Sequence, residues 1–334
     1  MIYKGVYLHN VAELLKTEDG IMLTRIPDSL RMSLSTWIQT RAIRPAGVEL
    51  RFNLKSNSAR IILKSQEEGI FVSEVYQGNF LVKYCYISNN DSEIVISLPQ
   101  NIEQLKEISK KKKLPFDAGL TRIILPWGPT CVIKDIEGEF EPPMKEQLPA
   151  IRYLAYGSSI TQGESAINPS GTYAMKTAYL LGLDLINLGF GSGARCEKEM
   201  ADYIAGRNDW AFATLEMGIN MFYDVMSVSE FRKRVEYFVP TIVKAHPDKY
   251  VFCIDMFTFN LGRKGEKKRQ KEYRDIVKEV ATAMNSEKVI HIDGRKLLKS
   301  WSGLCRDLVH PSPAGMEEIA RNLSGIIKRY IKYK

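Results

Sequence analysis

Hydrophobic and polar positions form two different patterns along the chain. Between about Gly47 and Gly138, short apolar runs, several of them alternating with polar residues, are separated by polar turns. Many short strands of this kind without intervening helices indicate a β-sandwich or jelly roll. We therefore predict an all-β sandwich or jelly-roll domain over residues 1–145, with a short helix at residues 11–15. The predicted strands cover residues 48–52, 59–63, 70–75, 80–87, 93–98, 122–125 and 130–133.

From Ile151 onward, apolar runs of strand length alternate with stretches of helical period. Regular alternation predicts an α/β domain with a parallel sheet and helices on both faces, a flavodoxin-like three-layer arrangement. Pro142 and Pro143 indicate a linker, so we place this domain over residues 146–334. The predicted strands cover residues 153–156, 185–188, 212–217, 250–256 and 289–292, and the predicted helices 172–181, 197–205, 229–244, 267–284 and 316–331.

The composition is that of an ordinary globular protein. The 334 residues are 45% hydrophobic and 26% charged, which fits two domains. No apolar stretch approaches the ~18 residues of a membrane span, and the N-terminus lacks the basic start and apolar run of a signal peptide. Five scattered cysteines without Cys-x-x-Cys spacing argue against a disulfide framework or a zinc site. We predict a cytoplasmic protein.

The net charge of +8 is concentrated in two basic runs, residues 110–113 and 263–271. Such runs can bind nucleic acid or another anionic partner. Neither run has interleaved aromatic residues or a nucleic-acid-binding motif. We therefore interpret them as a solvated helix face and a polar loop, and expect no nucleic-acid or membrane partner.

Candidate chemistry follows the predicted strands of the second domain. Residues 157–161 follow its first strand, residues 187–195 its second and residues 216–220 its third, while residues 307–315 precede the last helix. The carboxyl ends of parallel strands meet at one edge of a sheet, where loops build the site. We expect these segments to lie close together.

The residues in these segments supply the parts that acyl transfer needs. Ser159 can be the nucleophile, His310 the base, and Asp307 the group that orients His310 if the loop between them folds back. The backbone N–H of Ser159, an N–H of the glycine-rich loop 189–194 and the Asn220 amide can bind the oxyanion. His9, His246 and His291 are interpreted as structural.

These segments resemble the SGNH hydrolases, the GDSL esterase/lipase family, over roughly residues 151–332. Four blocks carry the resemblance: Gly157-Ser158-Ser159, residues 187–194, Gly218-Ile219-Asn220, and residues 307–310. The resemblance implies a Ser159–His310–Asp307 triad, with Ser159, Ser192 and Asn220 as oxyanion donors and no metal or cofactor.

Two positions depart from the family pattern. Ser158 replaces the usual Asp before the nucleophile, and Ser192 aligns with the oxyanion glycine, although the alignment can slip onto Gly191 or Gly193. The missing Asp does not relay the proton, so activity is expected to survive. A backbone N–H serves as donor whatever the side chain.

The resemblance leaves three functions open. The first is a serine esterase for a small acyl ester, such as an acetylated carbohydrate. The second is an acyltransferase that uses the same acyl-enzyme, and the third is a silent carbohydrate-binding protein. Some family members look like a β-sandwich joined to the hydrolase domain, and here that domain can bind substrate, shape the cleft or mediate homo-oligomer assembly.

One motif supports a different interpretation. Residues 189–194 fit the Gly-x-Gly-x-x-Ala dinucleotide fingerprint, and Glu216 could then hold a ribose. The motif follows the second strand of its domain, however, and explains neither Asp307 and His310 nor Asn220. We therefore do not favour a dinucleotide site.

Overall fold

The structure, a computed structural model, describes residues 1–331, so the end of the predicted domain 146–334 lies outside the described residues. In the first half, two antiparallel sheets share one hydrophobic core of alternating strand residues. Their order is β1-β2-β5-β10-β7-β8, with β12 on β5, and β3-β4-β11-β6-β9. The strands are β1 Ile2–Tyr3, β2 Val6–His9, β3 Glu13–Thr17, β4 Gly20–Thr24, β5 Glu49–Leu54, β6 Ala59–Ser65, β7 Phe71–Gln77, β8 Phe80–Ile87, β9 Ser92–Ile96, β10 Thr121–Ile124, β11 Cys131–Glu137 and β12 Phe140–Glu141.

The helix predicted at residues 11–15 is wrong. Residues Glu13–Thr17 form β3, which pairs with β4 so that Leu14 lies opposite Leu23. Cross-strand packing against β4 therefore overrides the local helical spacing of these apolar residues. Helices occur elsewhere in this half, at α1 Asp28–Ser33, α2 Thr36–Ala42 and α3 Ile102–Lys112.

The second half contains a five-stranded parallel sheet in the order β14-β13-β15-β16-β17. The five predicted strands are confirmed, at β13 Arg152–Gly157, β14 Asp184–Gly189, β15 Phe212–Glu216, β16 Tyr250–Ile254 and β17 Val289–Ile292. The chain runs from β13 outward to β14 and then back to β15 on the other side. This reversal opens a crevice at the carboxyl ends of the strands, where α/β folds bind ligands.

Helices cover both faces of this sheet, as predicted. Apolar residues of α5 and α10 pack on one face, and those of α6, α8 and α9 pack on the other. Burial on both sides explains why the strands are almost continuously apolar. The helices are α4 Ser159–Gln162, α5 Tyr173–Leu181, α6 Lys198–Ala205, α7 Ile219–Tyr223, α8 Val228–Ala245, α9 Glu266–Ala283 and α10 Pro313–Tyr330.

Part of the first half belongs to the hydrophobic core of the second. Ile38 and Ala42 of α2 are fully buried together with Phe190 and Ala194 of the loop after β14. The segment that carries α1 and α2 therefore packs against the carboxyl edge of the parallel sheet.

Lys110–Lys113 are exposed at the end of α3, and the run 263–271 lies in a loop and at the start of α9, where most of its cations are exposed and Arg269 is half-buried. Both basic runs therefore lie on the solvated surface. No helix within residues 1–331 is long and apolar enough to cross a membrane.

Candidate active site

Ser159 is the first residue of α4, and only Ser158 separates it from the end of β13, the strand between β14 and β15. The Ser158 hydroxyl caps this helix by accepting a hydrogen bond from the Ile160 N–H at 3.2 Å. The turn is tightly packed, because a Cβ on Gly157 would stand 2.2 Å from Thr161 Oγ1. Gly157 therefore allows the sharp strand-to-helix turn that presents the Ser159 side chain at the sheet edge.

Ser159, His310 and Asp307 form one continuous hydrogen-bonded chain. Ser159 Oγ lies 2.8 Å from His310 Nε2, and His310 Nδ1 lies 2.6 Å from Asp307 Oδ2. With Nδ1–H donating to the carboxylate, Nε2 is left to accept the serine proton. This is the geometry that a nucleophile, a general base and an orienting acid require.

The loop between Asp307 and His310 folds back through Leu308, whose φ of +57° is in the left-handed region. Asp307 Oδ1 accepts hydrogen bonds from the N–H groups of Val309 and His310, both at 3.0 Å. Partial burial tends to raise the pKa of Asp307, but hydrogen bonds from the His310 side chain and these two N–H groups lower it below its usual value. The carboxylate therefore stays ionised at neutral pH.

The loop after β14 offers one unbonded N–H to an oxyanion. The N–H of Gly191 donates to Gln162 Oε1 at 2.8 Å, and that of Gly193 donates to the Phe190 carbonyl at 3.0 Å. Within residues 1–331, no partner is recorded for the N–H of Ser192, which has a φ of +58°. Among the three alignments, the geometry therefore favours Ser192.

Two further donors border the same space. The Ser159 N–H is the first of α4 and has no intrahelical acceptor. Asn220 Nδ2 donates to the Ala194 carbonyl at 3.1 Å, and its contact with the Phe190 carbonyl is long, at 3.5 Å. One amide hydrogen of Asn220 thus holds the loop in place, and the other can reach an oxyanion.

These groups line one cavity of about 400 Å³. The structure thus brings together all the residues predicted for the site, which come from four separate segments. The walls of the cavity also include Arg41, Glu164 and Asp224, together with the apolar side chains of Ile219, Tyr223, Leu261 and Val309. Within residues 1–331, no cluster of His, Cys, Asp and Glu side chains is arranged to hold a metal ion.

Sequence analysis missed the role of Glu216. This buried carboxylate lies behind the nucleophile, where Oε2 accepts the Ser158 N–H at 2.6 Å and the Thr161 hydroxyl at 3.2 Å. Burial raises its pKa. Glu216 therefore faces the Ser159 turn. The dinucleotide interpretation requires this carboxylate to hold a ribose, and in the structure it is not available for that. A lone acidic residue ending an apolar strand was the available signal.

Gln162 and Arg41 were missed as well. Gln162 holds the oxyanion loop through Gly191, and Arg41 reaches the cavity from α2 of the first half. The three other histidines contact different groups: His9 the Leu185 carbonyl, His246 the Trp210 ring and His291 the Asp255 carboxylate.

Comparison with solved structures shows a similar overall fold in several proteins. A salicylyl-acyltransferase, SsfX3, from a tetracycline biosynthetic pathway has a TM-score of 0.81 at 18% identity, over 98% of this chain and 96% of that chain. A family two carbohydrate esterase from Cellvibrio japonicus has a TM-score of 0.65 at 14% identity, over 98% and 95%. One from Clostridium thermocellum, in complex with cellohexaose, has a TM-score of 0.57 at 17% identity, over 84% and 91%.

Comparison of the sequence with curated proteins gives no match. The family model of the GDSL-like lipase/acylhydrolase family matches residues 151–328, more than half of the chain. This match confirms the resemblance seen in the four sequence blocks and identifies an SGNH-type hydrolase. The chain therefore belongs to the GDSL-like lipase/acylhydrolase family.

Proposed function

We propose that the protein is a serine esterase that cleaves a small acyl ester through a Ser159–His310–Asp307 triad. The observation that carries this proposal is the unbroken chain of hydrogen bonds from Ser159 Oγ through His310 to Asp307, at 2.8 and 2.6 Å, on the wall of an open cavity. A serine in this setting is activated by its neighbouring base.

In the acylation step, Ser159 Oγ attacks the ester carbonyl while His310 Nε2 takes the hydroxyl proton. Asp307 stabilises the imidazolium that forms. The N–H groups of Ser159 and Ser192 and the Asn220 amide bind the developing oxyanion. His310 then protonates the leaving alcohol as the tetrahedral intermediate collapses to the acyl-enzyme.

In the deacylation step, a water molecule gives its proton to His310 and attacks the acyl carbonyl. The same three donors bind the second oxyanion. His310 returns the proton to Ser159 Oγ as the acid leaves, and the enzyme is regenerated.

We propose an acetylated or similarly acylated carbohydrate as the substrate. Carbohydrate esterases are among the proteins that share the fold across both halves of the chain, which supports this class. In this proposal, residues 1–145 form a β-sandwich or jelly-roll domain that contributes Arg41 to the site, and residues 146–334 form the catalytic domain.

An acyltransferase is the second candidate, because the salicylyl-acyltransferase matches over nearly the whole length of both chains. The two functions share the acyl-enzyme and differ in whether water or an alcohol attacks it. Product analysis with p-nitrophenyl acetate and an added sugar alcohol separates them. An acetylated alcohol would support transfer, and acetate alone with every acceptor tested would exclude it.

The triad is tested with a fluorophosphonate probe and p-nitrophenyl acetate. We expect Ser159→Ala to abolish labelling and to lower kcat by at least about 10³-fold, because the nucleophile is lost. Ser229→Ala is the matched control, since Ser229 is exposed on α8, away from the cavity. Equal labelling of Ser159→Ala and the wild type would refute the proposal, and a wild type without His310-dependent hydrolysis would support the silent binding protein.

A further inference from the structure

Arg41 brings an unpaired positive charge into the wall of the active-site cavity. A Cβ placed on Gly191 would stand 3.3 Å from Ser159 Cβ and 3.5 Å from Arg41 Nε, so this cation and the nucleophile border the same glycine. Within residues 1–331, the Arg41 side chain makes no ion pair or hydrogen bond. Its guanidinium lies over the Trp37 ring, with Cζ 5.9 Å from the ring centroid.

The position of Arg41 is fixed by the packing of α2. Ile38, one turn earlier, is fully buried, and its Cγ1 would lie 2.7 Å from a Cβ on Gly193. The buried guanidinium of Arg25 donates to the Arg41 carbonyl at 2.7 Å and to the Gly189 carbonyl at 2.9 Å. The backbone of Arg41 is therefore tied to the same loop that carries the oxyanion donors.

Two other arginines near the cavity have carboxylate partners. Arg195 contacts the Asp224 carboxylate, and Arg44 lies 3.6 Å from the Glu67 carboxylate. Glu164 is the other charge lining the cavity without a recorded ion pair within residues 1–331. Glu164 follows α4 on the Ser159 side, and it would repel an anion that strays toward that wall. Arg41 thus provides the cationic side of the cavity.

We infer that Arg41 forms a subsite for a carboxylate carried by the ester substrate. An arginine guanidinium is always ionised and matches a carboxylate with two parallel N–H donors. The half-buried position of Arg41 reduces competition from water and salt. This inference rests on the proposed esterase function and specifies its substrate class as an ester that bears a negative charge near the scissile bond.

The carboxylate can belong to the acyl group or to the alcohol, and two pairs of esters separate these sources. For the acyl side, p-nitrophenyl hydrogen glutarate is compared with its glutaramate analogue. For the alcohol side, 4-acetoxybenzoate is compared with 4-acetoxybenzamide. Each pair differs only in carboxylate against amide, and rates are corrected for spontaneous hydrolysis with Ser159→Ala.

The measured quantity is the ratio of kcat/KM for the charged ester to that for its neutral partner. We expect Arg41→Gln to lower this ratio by about 10- to 100-fold in the pair of esters whose carboxylate reaches Arg41. This is the loss typical of a hydrogen bond to a charged group. Arg306→Gln is the matched control, because Arg306 is an exposed cation beside Asp307 that does not line the cavity. We expect it to leave the ratio within about twofold, since an exposed charge is screened.

Two further variants complete the test. Arg41→Lys keeps the charge and is expected to retain part of the preference, and Glu164→Gln is expected to raise the ratio because it removes a repelling carboxylate. Thermal unfolding of each variant verifies that it is folded. The inference is overturned if both ratios are unchanged in Arg41→Gln while neutral esters are still hydrolysed in a His310-dependent reaction. Loss of all hydrolysis in the wild type would instead refute the esterase proposal.

Discussion

Glu216 lies outside the triad and contacts the nucleophile turn directly. Its carboxylate accepts the Ser158 N–H and the Thr161 hydroxyl, and Thr161 Oγ1 lies 2.6 Å from the Tyr173 hydroxyl. Ser158 stands where the family pattern has Asp, so no carboxylate precedes the nucleophile in this chain. A carboxylate from the neighbouring strand β15 holds the turn.

We therefore predict that Glu216→Ala lowers both stability and activity. The buried donors of Ser158 and Thr161 would lose their acceptor, which costs about 1–3 kcal/mol in the free energy of unfolding. The turn would also shift Ser159 relative to His310, and we expect kcat to fall by about 10-fold or more. Urea unfolding and p-nitrophenyl acetate hydrolysis measure the two effects.

Glu216→Gln is the matched variant, because its amide oxygen can still accept the Ser158 N–H. We expect it to keep more stability and more activity than the alanine variant. If Glu216→Ala has the kcat of the wild type, Glu216 does not position the nucleophile.

The residues of the site divide into those that the sequence predicts and those that it does not. Ser159, Asn220, Asp307 and His310 follow strand ends or precede a helix in a fixed order, and this order is visible in the chain. Glu216 and Arg41 act through contacts with residues far away along the chain. Only the folded sheet and the packing of α2 bring them to the site, so the local pattern gives no signal for Arg41 and, for Glu216, only an acidic residue at the end of an apolar strand.

The five strands and the five longest helices of the parallel half are predicted well, because the strands are apolar runs and the helices are long and periodic, whereas the short helices α4 and α7 were not predicted. Strand β17 has the predicted bounds, and the helices α5 and α8 begin and end within one residue of the prediction. In the first half, α1, α2 and α3 were all missed, and α1 and α2 are the shortest of the three. They have six and seven residues, too few to be stable helices by their own sequence, and α2 buries Ile38 and Ala42 against the other half of the molecule.

Helix α2 gives a prediction at this scale. Ile38→Ala removes a fully buried side chain that packs on the oxyanion loop at Gly193. We expect the free energy of unfolding to fall by about 2–5 kcal/mol. We also expect kcat for p-nitrophenyl acetate to fall by several-fold, because the loop that carries the Ser192 N–H loses its support.

Ile61→Ala is the matched control for α2. Ile61 is also fully buried, but it lies in β6 within the core between the two antiparallel sheets. We expect a comparable loss of stability without the loss in kcat. Equal effects of the two substitutions on kcat would show that α2 does not support the site.

At the scale of the whole molecule, a buried network of charges joins the two halves. Arg51 of β5 binds Asp184 of β14 through two hydrogen bonds, at 2.6 and 2.9 Å, and also binds Glu49 at 2.9 Å. Arg122 of β10 binds Glu49 through two further bonds of 2.7 Å. A pattern of apolar and polar positions cannot predict this interface, because Arg51 and Asp184 are distant in sequence and both lie in strands that otherwise read as buried.

His9 lies at the edge of this network and is fully enclosed. Its Nε2 lies 2.5 Å from the Leu185 carbonyl and 3.3 Å from Asp184 Oδ1. Burial, together with the nearby charge of Arg51, lowers the pKa of His9 to about 4 despite the opposing effect of Asp184. His9 is therefore neutral in the folded protein at neutral pH, with Nε2–H donating to the carbonyl.

This shift predicts how stability depends on pH. The unfolded chain binds a proton at His9 below pH ~6.5, whereas the folded chain does so only near pH 4, so the unfolded state gains protons first as the pH falls. The free energy of unfolding should therefore decrease by about 2 kcal/mol between pH 7 and pH 5 on account of His9. This window lies above the range in which Asp184 and Glu49, whose pKa values are lowered, would take up protons.

Urea unfolding of the wild type and His9→Gln at pH 5, 6 and 7 isolates this contribution. Glutamine can still donate to the Leu185 carbonyl but does not titrate, so we expect a flatter dependence on pH in the variant. His246, whose pKa is also lowered, contributes equally to both proteins and cancels in the comparison. Parallel pH profiles would mean that His9 is not held neutral at the interface. A flatter profile for the variant would show that His9 makes the contact between the two halves sensitive to pH in the range where it protonates.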